Sequence, residues 1–264
     1  MMSGISTLMF RDQPLNRDML RNIRETRIES VELTDYHPGF VYDDLMMFDA
    51  LREDILAAGL HLNSWHIHLE QFDRAYDLAA LDSAQREKSI KAYKLAVDGM
   101  ERLGGGILVT HDIRVPEPGE DAHDHKRVAF VENMGIVAAY AELRGVRMAL
   151  ENTGSGYTRD PERLVALMDD IRATNVGICI DTGHRNLCGD PVDALRIAGS
   201  HLITLHIQDN HGEQDEHLLP DLGQIDWTGV SQALKDIDYQ GVFMYELIRP
   251  EDLAAVYPNF RSIL

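Results

Sequence analysis

The stretch Arg147–His184, "RMALENTGSGYTRDPERLVALMDDIRATNVGICIDTGH", decides the fold. It opens on a β-rich run, "RMALENT" (147–153), and closes on another, "VGICIDT" (176–182). Between them lies an amphipathic stretch, "RDPERLVALMDDIRA" (159–173), that starts with Asp160 and Pro161. An Asx side chain caps the free amides of a first helical turn, and proline is well tolerated just inside it. Strand, helix, strand in that order predicts a parallel βαβ unit. Each of the two strands ends on a carboxylate, Glu151 in one and Asp181 in the other, with His184 following.

The same alternation runs outward in both directions. Upstream strand candidates are "ISTLMF" (5–10), "SVELT" (30–34), "LHLNSWHIH" (60–68) and "GGILVTHD" (105–112). Downstream candidates are "LITLHIQD" (202–209) and "GVFMYELI" (241–248). Helical periodicity fills 42–59, 83–104 and 124–145, the last two ending in glycine, the usual residue just past a helix C-terminus. Eight such units in 264 residues predict one (β/α)8 TIM barrel spanning residues 1–264. An open doubly wound sheet is the alternative, but no G-x-G-x-x-G follows the first strand.

Composition narrows the function classes. A formal net charge of −19 opposes a phosphate backbone, so a nucleic-acid partner is not expected. No apolar run is long enough for a membrane span, and the N-terminus does not read as a signal peptide. Two cysteines, Cys179 and Cys188, exclude a disulfide framework, and a reducing cytoplasm is the expected compartment.

In a parallel barrel the active site lies at the C-terminal strand ends, where the chemical residues of this chain collect. His66 and His68 end the third strand, His111 the fourth, Glu151 the fifth and Asp181 the sixth, while His206 and Glu246 lie on the seventh and eighth. Period-two alternation puts Glu151 with Ala149, Asp181 with Cys179, His206 with Thr204, and Glu246 with Met244, on the barrel-facing side. A single strand-end carboxylate has an ordinary explanation as half of an ion pair. Three converging on one mouth repel one another, and no matching Lys or Arg lies at the strand ends. Glu151, Asp181, His206 and Glu246 are therefore expected to hold a divalent cation such as Mn²⁺, Mg²⁺, Co²⁺ or Zn²⁺.

At these residues the chain resembles the xylose-isomerase-like barrels, a superfamily of sugar-phosphate isomerases and epimerases related to endonuclease-IV-type nucleases. The segments that carry the resemblance are "SWHIHL", "VTHD", "ALENT", "CIDTGH", "LHIQDN", "DEHLLPDLGQIDW" and "MYELI", in order from about residue 60 to 248. The resemblance implies one divalent metal on Glu151, Asp181, His206 and Glu246, with the two glutamates also moving protons. It implies for His184 a contact to substrate or metal. Asp215 and His217 resemble the nuclease-type Asp-x-His pair, which with His184 would hold a second metal; His66 and His111, sharing Glu151, would hold a third. Hydrogen bonding of these five residues to the metal ligands or to substrate hydroxyls is the other reading.

The function expected is a metal-dependent isomerase or epimerase of a sugar, sugar phosphate or related keto acid, acting through an enediolate. A multinuclear phosphodiesterase and a keto-inositol dehydratase are the alternatives. A carbohydrate substrate and, by analogy, a homo-oligomer are implied. Ketose 3-epimerases place an Arg soon after the seventh-strand His, but none occurs between His206 and Trp227. Arg185 or Arg249 would have to supply an anion contact instead. His123 and His125 are expected to be solvated at a helix start.

Overall fold

The computed structural model describes residues 1–68, 76–111 and 115–264. The strands are β1 (Met2–Ser6), β2 (Ser30–Thr34), β3 (His61–His66), β4 (Gly106–His111), β5 (Val146–Glu151), β6 (Val176–Asp181), β7 (Leu202–His206) and β8 (Val242–Tyr245). They form one parallel sheet in the order β7-β6-β5-β4-β3-β2-β1-β8. The outer strands meet through a parallel bridge between Ile207 and Tyr245, so the sheet curls into a barrel. Ile207 N donates to Met244 O at 2.7 Å and Glu246 N to Ile207 O at 3.0 Å across this seam.

Helices α1 (Arg17–Glu25), α2 (Leu45–Ala58), α3 (Ser83–Leu103), α4 (His123–Glu142), α5 (Pro161–Ile171), α6 (Thr182–Asn186), α7 (Pro191–Ala198), α8 (Trp227–Asp236) and α9 (Leu253–Ile263) connect and follow the strands. No described helix is long and apolar enough to cross a membrane. The main core lies between sheet and helices: Ile5, Val31, Leu33, Trp65, Leu108, Leu150, Ile180 and Leu205 pack against helix residues such as Leu20, Phe48 and Leu164. A separate, smaller cluster of Ile107, Val109, Ala149 and Cys179 fills the barrel interior. The alternation read from β5 and β6 is thus the one that forms.

Three local readings change. Residues 5–10 are not one strand: β1 ends at Ser6, whose Oγ accepts from Leu8 N at 3.4 Å, and Thr7–Phe10 is a 3-10 turn that buries Leu8 and Met9. In β7, Ile203 packs against the interior cluster rather than the helix layer. The cause is a register shift, since Ile178 and Cys179 pair with Leu202 and Thr204 and skip Ile203. A second shift, between β2 and β3, skips Asn63. Bulges of this kind insert one residue and re-aim its neighbours. The third change is His123, whose half-buried ring packs on Tyr157 with centroids 5.6 Å apart; His125 is exposed as expected. Leu69 of "SWHIHL" and Asp112 of "VTHD" lie outside the described residues.

Candidate metal centre

The two bulges build the floor of the site. Asn63 Nδ2 reaches across the barrel to Thr204 Oγ1 at 3.1 Å and donates to Ser64 Oγ at 3.0 Å. Ser64 Oγ in turn donates to Glu32 Oε2 at 2.7 Å, and the same oxygen lies 3.0 Å from His206 Nε2. Glu32 is fully buried, and a buried carboxylate persists only when paired. From sequence it reads as a strand-end loop residue that could touch substrate. The structure instead puts it beneath His206, where it accepts a hydrogen bond from Nε2 and leaves Nδ1 to face the barrel mouth. A carboxylate behind a ligating imidazole fixes its tautomer and raises its basicity, and losing such a partner weakens metal binding about 10- to 100-fold. Glu32→Gln is expected to weaken Mn²⁺ binding by that factor without unfolding the protein; titration calorimetry against the wild type measures it.

The four strand-end residues converge. Glu151, Asp181, His206 and Glu246 each offer one ligand atom, and these atoms all lie within 4.8 Å of one another. All four residues are buried. His206 Nδ1 is 3.0 Å from Glu151 Oε1 and 3.5 Å from Glu246 Oε1. Both Glu151 oxygens and His206 Nδ1 are buried without a hydrogen bond, as expected of atoms that offer lone pairs to a cation. The donor set of three carboxylates and one imidazole suits a hard or borderline divalent ion.

The electrostatics agree with that fit. Burial alone would raise the Glu151 carboxyl, but His206, His66 and His111 hold it well below the usual carboxylate range. Asp181 is pushed up to about 7 by burial, with Glu151, Glu246 and Asp215 adding repulsion against the opposing pull of His184. The cluster carries more negative charge than its own histidines neutralise, and a bound cation removes that excess.

Asn152, next to Glu151, holds the backbone of Asp181. Its Oδ1 accepts from Asp181 N at 2.7 Å and its Nδ2 donates to Asp181 O at 3.0 Å. Asp181 Oδ1 caps α6, accepting from His184 N at 2.6 Å. Gly183 of "DTGH" has a steric reason: a Cβ there would sit 2.1 Å from the Gln208 amide. Gln208 Nε2 bonds Asp215 Oδ1 at 2.6 Å and Asp181 Oδ1 at 3.3 Å.

The five remaining candidates also lie here. His66 Nε2 and His111 Nε2 stand 3.2 and 3.1 Å from Glu151 Oε2, and these three residues form a second convergent group. His66 Nδ1 lies 3.1 Å from Glu246 Oε1, and burial pulls the His66 imidazole below its ordinary value. A neutral imidazole has one proton, so one of its nitrogens faces a carboxylate oxygen lone pair to lone pair. A cation in that gap would turn the contact attractive. His184 Nδ1 and His217 Nδ1 sit 3.1 and 2.8 Å from the carbonyls of Asn152 and Glu246, to which they donate. Their Nε2 atoms lie 3.3 and 3.1 Å from the same oxygen, Asp215 Oδ2. His217 pays for this position with a left-handed backbone, φ 48°, and burial notwithstanding, Asp215 and Glu246 hold its pKa at about 9.

Above the cluster opens a cavity of about 360 Å³, at the small end for ligand pockets. Glu246, His66, His111, His184, Asp215 and His217 line one side of it, and Leu8, Arg11, Tyr36 and His68 complete it. His68 is held in place there: its Nδ1 lies 2.8 Å from buried Asp35, which also accepts from Tyr42 OH. Neither Arg185 nor Arg249 lines the cavity. Arg185 donates to Arg159 O at 3.1 Å, and Arg249 pairs with Asp252 at 3.0 Å.

Asp209 is a site residue that sequence reasoning missed. It is fully buried and accepts from Asn210 N, Asp221 N, Gly223 N, Ile225 N and Trp227 Nε1 at 2.9–3.2 Å. Its backbone pairs with Leu218 in both directions at 2.8 and 2.9 Å. One carboxylate thus folds the whole β7–α8 connection that carries Asp215 and His217. The signal was present in "QDN", an Asp just past a strand with a Trp eighteen residues on, the separation that the structure closes.

The chain matches the family model described as "Xylose isomerase-like TIM barrel" over residues 20–259. It is 30% identical over 176 residues to an uncharacterized protein of Methanocaldococcus jannaschii, covering 64% of this chain and 59% of the relative. It is 32% identical over 157 residues to a D-psicose 3-epimerase of Enterocloster bolteae, covering 58% of this chain and 50% of that protein. The chain spans about half to three-fifths of the length of these relatives. A crystal structure of a D-tagatose 3-epimerase-like protein superposes with a TM-score of 0.86 at 23% identity, covering 100% of this chain and 97% of that one, a likeness of fold.

Proposed function

The chain belongs to the xylose isomerase-like TIM barrel family, and from that premise we propose that it is a divalent-metal-dependent isomerase or epimerase of a sugar or sugar derivative. The observation that carries the reading is the pair of glutamates, Glu151 and Glu246, in one ligand group with Asp181 and His206. An ion bound by these four residues would supply Lewis acidity at a substrate carbonyl. Glu246, which lines the cavity, would take a proton from the adjacent substrate carbon, and delivery of a proton to the other face would require Glu151, ionised in the free protein, to have taken one up with the substrate. His66 stands between the two glutamates, 3.1 Å from Glu246 and 3.2 Å from Glu151, and its hydrogen bond to Glu246 holds that carboxylate in place. The burial of all of them excludes bulk water from the transfer. The test is incorporation of solvent deuterium at the substrate carbon during turnover; a panel of ketoses, aldoses and sugar acids with no exchange in any member overturns the reading. Dialysis against a chelator is expected to abolish turnover, and added Mn²⁺ or Co²⁺ to restore it.

A second reading, a multinuclear metallohydrolase of phosphate esters, is favoured by two specific observations. His66 and His111 crowd one oxygen of Glu151, and His184 and His217 aim their Nε2 atoms at one oxygen of Asp215. Metal content of the purified protein separates the two readings. One tightly held ion per chain supports the isomerase; two or three held through gel filtration, with release of phosphate from a diester, support the hydrolase.

A further inference from the structure

The cavity is chemically two-sided. Carboxylates and imidazoles follow β3 to β8 around the mouth, whereas Arg11 follows β1, beside β8 and across from β5. In the closed strand order β1 stands four strands from β5 in either direction, so a residue after β1 faces Glu151 across the mouth. Arg11 is held there by the 3-10 turn Thr7–Phe10: its N–H bonds Leu8 O at 3.0 Å, and Thr7 Oγ1 accepts from Thr34 N at 3.1 Å. It is the one Lys or Arg among the described residues lining the cavity, and its guanidinium makes no ion pair or hydrogen bond with the described residues. Other arginines, among them Arg17, Arg102, Arg144, Arg163, Arg196 and Arg249, are taken up by carboxylates. Beside it, Tyr36 packs on His68 with ring centroids 4.3 Å apart, and Asp35 fixes Nδ1 of that histidine.

We propose that Arg11 is the specificity residue for an anionic oxygen group, a carboxylate or a phosphate, at the end of the substrate that lies toward β1, across the mouth from Glu151. This rests on reading the cavity as a sugar site. The guanidinium attracts such a group and so sets which end of the molecule lies toward β1. Tyr36 and His68 form the wall along which the carbon chain lies. Arg185 and Arg249, engaged elsewhere, leave this contact to Arg11.

The test is calorimetric binding of pentose and hexose phosphates and of hexuronates, each against its neutral parent, to the protein as purified. At least one anionic sugar is expected to bind about ten- to a hundredfold more tightly than its parent, the range of a charge-assisted bidentate contact. Arg11→Ala is expected to collapse that ratio and Arg11→Lys to restore part of it, since an ammonium keeps the charge without the fork. Whether the phosphates or the uronates show the preference identifies the source of the anion. Equal binding of all acids and their parents, or a ratio that survives Arg11→Ala, overturns the proposal. Solvent deuterium exchange on the same panel separates this from the isomerase reading. Anion preference without exchange in any sugar removes the isomerase and leaves the anion site, and exchange of neutral sugars without anion preference does the reverse.

Discussion

Replacing Glu246 by Gln is expected to lower kcat by about 100- to 10,000-fold with little change in KM, the range for loss of one positioned general acid or base. Among the four convergent ligands, Glu246 is the one that lines the cavity. Its carboxyl is held well below the usual range: burial would raise it, but His206 and the hydrogen bond from His66 lower it further than Glu151 raises it. It is therefore ionised and able to accept a proton, which an amide cannot do. An amide oxygen still ligates a cation, so the variant should keep most of its metal, and metal analysis distinguishes lost proton transfer from a lost ion. Glu151→Gln should lose turnover by a comparable factor but bind metal more weakly, because both Glu151 oxygens face the shared centre. More than a tenth of wild-type turnover in Glu246→Gln, with metal content unchanged, would remove Glu246 from the chemistry.

The barrel was legible because its signals repeat. Each strand alternates side chains with period two, and each of the quoted helices carries a start or stop residue of known geometry, such as Gly104 in the left-handed conformation after α3. The convergence of Glu151, Asp181, His206 and Glu246 was legible for the same reason: strand-end position and parity together fix the mouth and the inward face. What stayed hidden has no period. The skipped residues Asn63 and Ile203 look like ordinary strand positions, and only pairing with the neighbouring strand reveals them. Glu32 and Asp35 sit in "VELTDY", where a strand end and an exposed loop are indistinguishable until β3 supplies Ser64 and His68 as partners. Arg11 carries no signal in the sequence, because it follows a run that reads as strand to Phe10 and is a 3-10 turn from Thr7, and that turn is what brings it to the mouth.

The histidine-rich connection after β7 depends on local and distant forces at once. Asp215 and His217 have no regular structure of their own, and His217 occupies a left-handed backbone conformation that a non-glycine residue adopts at a cost. Their placement comes from bonds at both ends: Gln208 and His184 on Asp215, and the Glu246 carbonyl on His217. A bound ion would strengthen that arrangement, but something must hold the loop before any ion arrives, and the described residues offer Asp209 for that purpose.

Asp209→Ala is accordingly expected to be the most destabilising single change near the site. It strands four backbone N–H groups and the Trp227 indole N–H, in a segment where Asp209, Asn210, Ile225 and Trp227 are all buried. Removing a buried charge that carries its own hydrogen-bond set costs about 3–5 kcal/mol, which for a chain of this size lowers Tm on the order of 10 °C. The loss should not be confined to stability. With the loop released, Asp215 and His217 leave the cavity wall, so any metal the wild type binds beyond the first equivalent should fall away while the Glu151, Asp181, His206 and Glu246 group, built on the strands, keeps its ion. Asp209→Asn, which retains one acceptor oxygen, should fall between wild type and Ala in both measurements. Thermal denaturation alongside metal counting at matched protein concentration checks the pairing: an unchanged Tm with intact metal content would show that Asp209 does not hold the loop, and a lowered Tm with every ion retained would show that the loop does not hold the metal.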